Sequence, residues 1–168
     1  MNKNNENATI NMYAMLVEEA AFGIFDLKGL KEEILKYKEE GAEIFWNPSS
    51  NLRVGKSNLD IVVMCENADL LQFVIEEFIV KENLNINLQN RDGETALDQA
   101  YKIIPTKEKE KMIMILRGYG AKTAREIYEE QMLKNAQTKV VKTIDKVAQK
   151  AKNKENYLKR MANKERER

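Results

Sequence analysis

Apolar residues recur at steps of three and four along most of the chain, the spacing that lines one face of a helix. Ile10, Met12, Tyr13, Met15, Leu16 and Ala20 predict a helix over 10–22. Leu27, Leu30, Ile34 and Leu35 predict a second, with Asp26 as its N-cap and Gly41 as the glycine that stops it. Residues 45–55 hold the turn cluster Asn47-Pro48-Ser49-Ser50-Asn51 and read as a loop. Helical spacing returns at Leu59, Val62 and Val63, and again at Leu70, Leu71, Val74, Ile75 and Phe78. A turn-rich stretch covers 83–93. Two further helices are expected over 95–104 and 108–118, separated by Pro105-Thr106. The alternation in Leu84-Asn85-Ile86-Asn87-Leu88 is brief, and fits an extended arm as well as a strand. Residues 1–9 are polar and Asn-rich, so a disordered N-terminus is expected there.

The pattern changes at Ala124. No glycine or proline follows Gly120, which allows one long helix over 124–168, frayed at its end. Leu133, Ala136, Val140, Ile144, Val147, Ala151, Leu158 and Met161 form a heptad-like stripe interrupted by Lys154. Lysines line the rest. Three roles compete for this segment: docking on the preceding helices as a cap, self-association as a coiled coil through residues 125–168, or contact of its basic face with an acidic surface. Few aromatics are available to stack on bases, which argues against nucleic acid.

An internal repeat is visible upstream. Gly55-Lys56-Ser57-Asn58-Leu59-Asp60 aligns with Gly93-Glu94-Thr95-Ala96-Leu97-Asp98 at an offset of 38 residues. Glu40-Gly41-Ala42 echoes Tyr119-Gly120-Ala121, and Asn83-Leu84 occupies the corresponding place between them. At these residues the chain resembles the ankyrin-repeat family, whose pattern is D-x-x-G-x-T-P-L-H-x-A followed by a helix ending in G-A. Gly93, Thr95, Leu97, Ala100, Gly120 and Ala121 match it. Asn90 stands where Asp is usual, while Ala96 and Asp98 replace the Pro and His. A weaker unit runs over 51–84, and a partial one precedes it. The resemblance covers about residues 10–123. Its units exceed the usual ~33-residue period, through the 103–107 connection and an extension around 78–82.

Composition narrows the chemistry. The chain has 168 residues, 43% of them apolar, which is enough for a core. It has no histidine and one cysteine, which excludes Ser-His-Asp and Cys-His catalysis, His-ligated metals and multi-cysteine zinc sites. The paired carboxylates Glu18-Glu19, Glu32-Glu33, Glu39-Glu40 and Glu76-Glu77 face different directions on a helix and read as solvated surface. Cys65 lies in an apolar run and reads as a buried structural thiol. No phosphate-binding glycine loop occurs. No catalytic residue, metal ligand or cofactor is therefore expected. The formal net charge of +1 divides unevenly. Residues 1–124 hold 15 basic and 20 acidic residues, a net of −5, and residues 125–168 hold 13 and 7, a net of +6. No signal peptide or membrane span is expected, so the default compartment is cytoplasmic.

The expected fold is all-α: a short ankyrin-like helical solenoid of about two and a half to three repeats, then a long C-terminal helix. The resemblance implies non-catalytic binding of a partner protein through repeat turns and inner helices. Trp46, Arg53, Lys56, Arg91 and Glu94 are the candidate contacts, since tryptophan and arginine are frequent interface anchors. The alternative for Trp46 is that it folds back onto the first repeat. The alternative functions are a scaffold or oligomerisation protein acting through the C-terminal helix, and a basic-tail nucleic-acid or membrane adaptor.

Overall fold

The computed structural model describes residues 3–44 and 56–166. Among these the regular structure is helical, with no strand. The elements are α1 (Lys3–Phe22), α2 (Leu27–Glu39), α3 (Asn58–Met64), α4 (Ala68–Val74) with a π-helical continuation (Ile75–Val80), α5 (Ala96–Lys102), α6 (Lys107–Gly118) and α7 (Ala124–Arg166). The chain divides into two compact units, Met1–Glu126 and Ile127–Arg168. The arm 84–88 is irregular.

Within the first unit α1 packs on α3 and α3 on α5, while α2 packs on α4 and α4 on α6. Neighbours in sequence also pair: α1 with α2, α3 with α4, α5 with α6. One apolar cluster runs through all six helices, with Leu16, Leu59, Leu70, Phe78, Leu97 and Leu116 fully buried. Helices as short as α3 and α5, with seven residues each, are not stable alone, so their stability comes from this packing.

The helix starts follow from side chains that satisfy free backbone N–H groups. Asp26 Oδ1 accepts from Gly29 N at 2.8 Å. Ser57 and Asp60 form a reciprocal capping box, and Thr95 and Asp98 form the same box 38 positions later. Thr123 and Glu126 repeat it at the start of α7: Glu126 N donates to Thr123 Oγ1 at 3.2 Å, and Thr123 N to Glu126 Oε2 at 2.7 Å.

The ends of α2, of the π-helical continuation of α4 and of α6 share one device. Gly41, Asn83 and Gly120 all have positive φ, at 91°, 52° and 81°. At each, two backbone bonds close a Schellman motif: Gly41 N to Lys38 O with Ala42 N to Tyr37 O, Asn83 N to Val80 O with Leu84 N to Ile79 O, and Gly120 N to Arg117 O with Ala121 N to Leu116 O. Glycine bears the left-handed backbone at two of the three, and asparagine, the next most tolerant residue, at the third.

Residues 3–9, expected to be disordered, belong to α1, which begins at Lys3. Ala8 and Thr9 are buried, and Thr9 Oγ1 accepts from Glu43 N at 3.0 Å, so tertiary contacts override the weak helix propensity of the Asn-rich start. The extension around 78–82 overlaps a π-helical turn inside the helix (Ile75–Val80), where Lys81 N donates to Glu76 O, five residues back.

Candidate protein-binding surface

Of the five expected contacts, Trp46 and Arg53 lie outside the described residues. So does the loop reading of 45–55, and with it the question of whether Trp46 folds back. The other three sit at the starts of α3 and α5. Arg91 is exposed in the turn between Asn90 and Gly93. That turn is built by one asparagine: Asn90 Oδ1 accepts from Asp92 N at 2.9 Å and Glu94 N at 3.1 Å, while Asn90 N donates to Glu94 O at 2.8 Å. Gly93 has φ 77° and donates its N–H to Asn90 O at 3.0 Å. A side chain there would strain the backbone, although nothing lies within 4 Å of the position a Cβ would take.

The structure brings Lys56 and Glu94 together through a residue that sequence reasoning missed. The Lys56 ammonium donates to Gln99 Oε1, and Gln99 Nε2 donates to Glu94 Oε2. Lys102 Nζ donates to Glu94 Oε1. The Lys102 bond, with help from Gln99, holds the Glu94 carboxyl below its ordinary range. Gln99 itself is buried on α5. A glutamine among Ala96, Leu97 and Ala100 of α5 was the available signal, since a buried amide needs partners. Lys56, Gln99, Glu94 and Lys102 thus form a chain of charge-assisted bonds joining the start of α3 to α5.

Beneath this surface, asparagine and aspartate side chains tie each helix pair to the next. Asp60 Oδ2 accepts from Ser57 N at 2.6 Å, from Ser57 Oγ at 3.0 Å and from Asn90 Nδ2 at 3.3 Å. Burial pushes the Asp60 carboxyl above its ordinary value, against the pull of its bonds from Ser57 and Asn90. Asp98 Oδ2 takes the same place one unit later, accepting from Thr95 N and from Ala124 N, each at 2.9 Å. Asn87 brackets the following unit with both ends of its amide: Nδ2 donates to Gly120 O at 3.1 Å, and Oδ1 accepts from Lys122 N at 2.6 Å. Thr95 Oγ1 donates to Lys122 O at 2.7 Å.

The remaining chemistry is sparse. Cys65 is half-buried and not fully enclosed, with Sγ 3.7 Å from Leu16 O. Burial, reinforced by the Glu19 charge, pushes its thiol up to about 12, so it is protonated at neutral pH. Among the described residues no group of three or more His, Cys, Asp or Glu is placed to hold a metal ion. No helix among them is long and apolar enough to cross a membrane. A groove between α1 and α2 is lined by Asn11, Met15, Glu18, Phe25, Glu33 and Tyr37. Glu33 there accepts from Lys36 at 3.2 Å. No family model, curated protein or solved structure matches the chain.

Proposed function

We propose that residues 10–123 form a short ankyrin-like helical solenoid that binds a partner protein without catalysis, through its repeat turns and first helices. The observation that carries this reading is the recurrence of one unit of local structure. The Ser57–Asp60 and Thr95–Asp98 boxes lie 38 residues apart, and Schellman ends close at Gly41, Asn83 and Gly120. Asp60 also accepts a donor from the next unit, Asn90, and Asp98 accepts one from the first residue of α7, Ala124. That is nearest-neighbour stacking, in which a unit is completed by the one after it. The alternation of contacts, α1–α3–α5 and α2–α4–α6, supports the same arrangement.

The binding role rests on Arg91, Lys56 and Glu94, which stand at unit starts on a framework fixed by hydrogen bonds. Rigid turns lose little entropy on binding. The test is a cross-linked pull-down with the full chain, repeated with Trp46→Ala and Arg91→Ala. The reading expects at least one partner to be lost in both variants while the circular dichroism spectrum is unchanged. Retention of every partner by both variants overturns it.

A further inference from the structure

We propose that residues 133–154 of α7 bind the surface of an anionic lipid bilayer, lying along the interface and not through it. At about 100° of turn per residue, Leu133, Val140, Val141, Ile144, Val147 and Ala151 fall within one arc of about 160° or less. Their side chains are exposed, Leu133 at 64%, Ile144 at 61% and Val147 at 63%. Both borders of the arc carry cations: Lys134 and Lys152 on one side, Lys139, Lys146 and Lys150 on the other. Over 133–154 there are seven lysines and one acid, Asp145, which lies outside the arc.

The charge distribution decides among occupants. A lipid surface accepts both halves of the pattern at once, with apolar side chains among the acyl groups and lysines at the headgroups. Lysine stems are long enough to keep the ammonium in the headgroup layer while the stem lies against the apolar face. A second copy would bring two segments of net +6 together, across a seam that includes Gln137 and Lys154. A nucleic acid would match the lysines but leave the apolar arc uncovered, and no aromatic residue lies between Tyr128 and Tyr157 to stack on bases. The segment's valines give it modest apolar area, so charge has to supply much of the attraction. Binding should therefore be reversible, and weakened by salt.

The experiment is vesicle flotation of the full chain, with phosphatidylcholine alone or with a minor proportion of phosphatidylserine. Two paired variants separate the forces. Val140→Asp/Ile144→Asp adds two negative charges inside the arc, and Thr138→Asp/Gln149→Asp adds the same two on the opposite face. The expected result is flotation with the anionic vesicles alone, weakened by salt. The arc variant should lose at least about tenfold in partition, and clearly more than the polar-face variant. Equal loss in the two variants overturns the proposal, because it leaves attraction between charges and nothing more. Flotation with neutral vesicles, or none with anionic ones, also overturns it. So does a wild-type dimer in sedimentation equilibrium that is lost in the arc variant without any vesicle binding.

Discussion

Thr95→Ala tests how the units are joined. Thr95 is 1% exposed. Its hydroxyl accepts from Asp98 N at 3.3 Å, and its one hydrogen is shared between Lys122 O at 2.7 Å and Asp98 Oδ2 at 2.9 Å. Losing the cap costs ~1 kcal/mol. Losing the donor to Lys122 O adds ~1 kcal/mol, the low end for an unsatisfied carbonyl, because Lys122 is half-buried and water reaches it in part. The lost methyl adds a further ~0.8 kcal/mol, for a total of roughly 2–3 kcal/mol. Ser57→Ala removes an equivalent cap without a bond to the following unit, so it should cost about 1–1.5 kcal/mol. Thr95→Ser keeps the hydroxyl and should cost ~1 kcal/mol or less. Urea unfolding followed by far-ultraviolet circular dichroism reads these differences, and with a slope of ~2 kcal/mol/M the Thr95→Ala midpoint falls by ~1 M or more. Equal costs for Thr95→Ala and Ser57→Ala would refute the claim that the Thr95 hydroxyl carries a link between units.

Other substitutions test the backbone, the core and the charges. Gly120→Ala should destabilise by about 1–2 kcal/mol through its left-handed φ, since nothing crowds a Cβ there. Gly118→Ala, at the last residue of α6 with an equally open Cβ position, should stabilise by ~0.5 kcal/mol, and thermal unfolding of the pair shows both signs. Phe78→Ala empties the site of a fully buried ring and should cost ~3–5 kcal/mol in the same urea assay. Bonding to Arg117 and the N–H of Thr123 holds Glu126 at about 2, down from 4.5. Its contribution is therefore present above pH 4.5 and is lost as pH falls toward 2. With Glu126 41% exposed, screening keeps that contribution below ~1 kcal/mol, and Glu126→Gln should remove this part of the acid loss in pH-dependent unfolding.

Much of this fold was legible because its punctuation is local. Asp26, Gly41 and Gly120 act within a few residues of themselves, as does the capping bond of Thr95, so spacing alone reveals their roles as caps and stops. The contacts between units were not legible. Asn90 reaches Asp60 across 30 positions, and Asn87 reaches Lys122 across 35, and no periodicity encodes such a pair. Asp98 stands where the ankyrin-repeat pattern that the chain resembles has histidine, and in sequence it reads as a departure. In the structure the aspartate is an acceptor for the first N–H of α7. The π turn escaped notice because Leu70, Leu71, Val74, Ile75 and Phe78 fit ordinary helical spacing up to the point where the ladder widens. Of the candidate surface, sequence gave Lys56 and Glu94 but not Gln99, the buried amide that joins them.

The π turn at Ile75–Val80 bears on how the chain tolerates changes of length. An extra residue placed in a loop would shift the arm 84–88 and misalign the Asn87 bracket on Gly120 and Lys122. Placed inside a helix, it is absorbed by one wide turn, and the Schellman end at Asn83 closes with the same two bonds as at Gly41 and Gly120. The turn is also held from outside: Lys38 donates to Glu77 O, and its ammonium lies 4.9 Å from the centre of the Phe78 ring and 3.3 Å from Glu82. Excising Glu76 would let this stretch revert to an ordinary α-helix with its register restored one residue later. Excising Asn85 offers no such escape. Deletion of Glu76 in the helix should therefore destabilise the fold less than deletion of Asn85 in the connecting arm, the reverse of the usual rule for insertions and deletions.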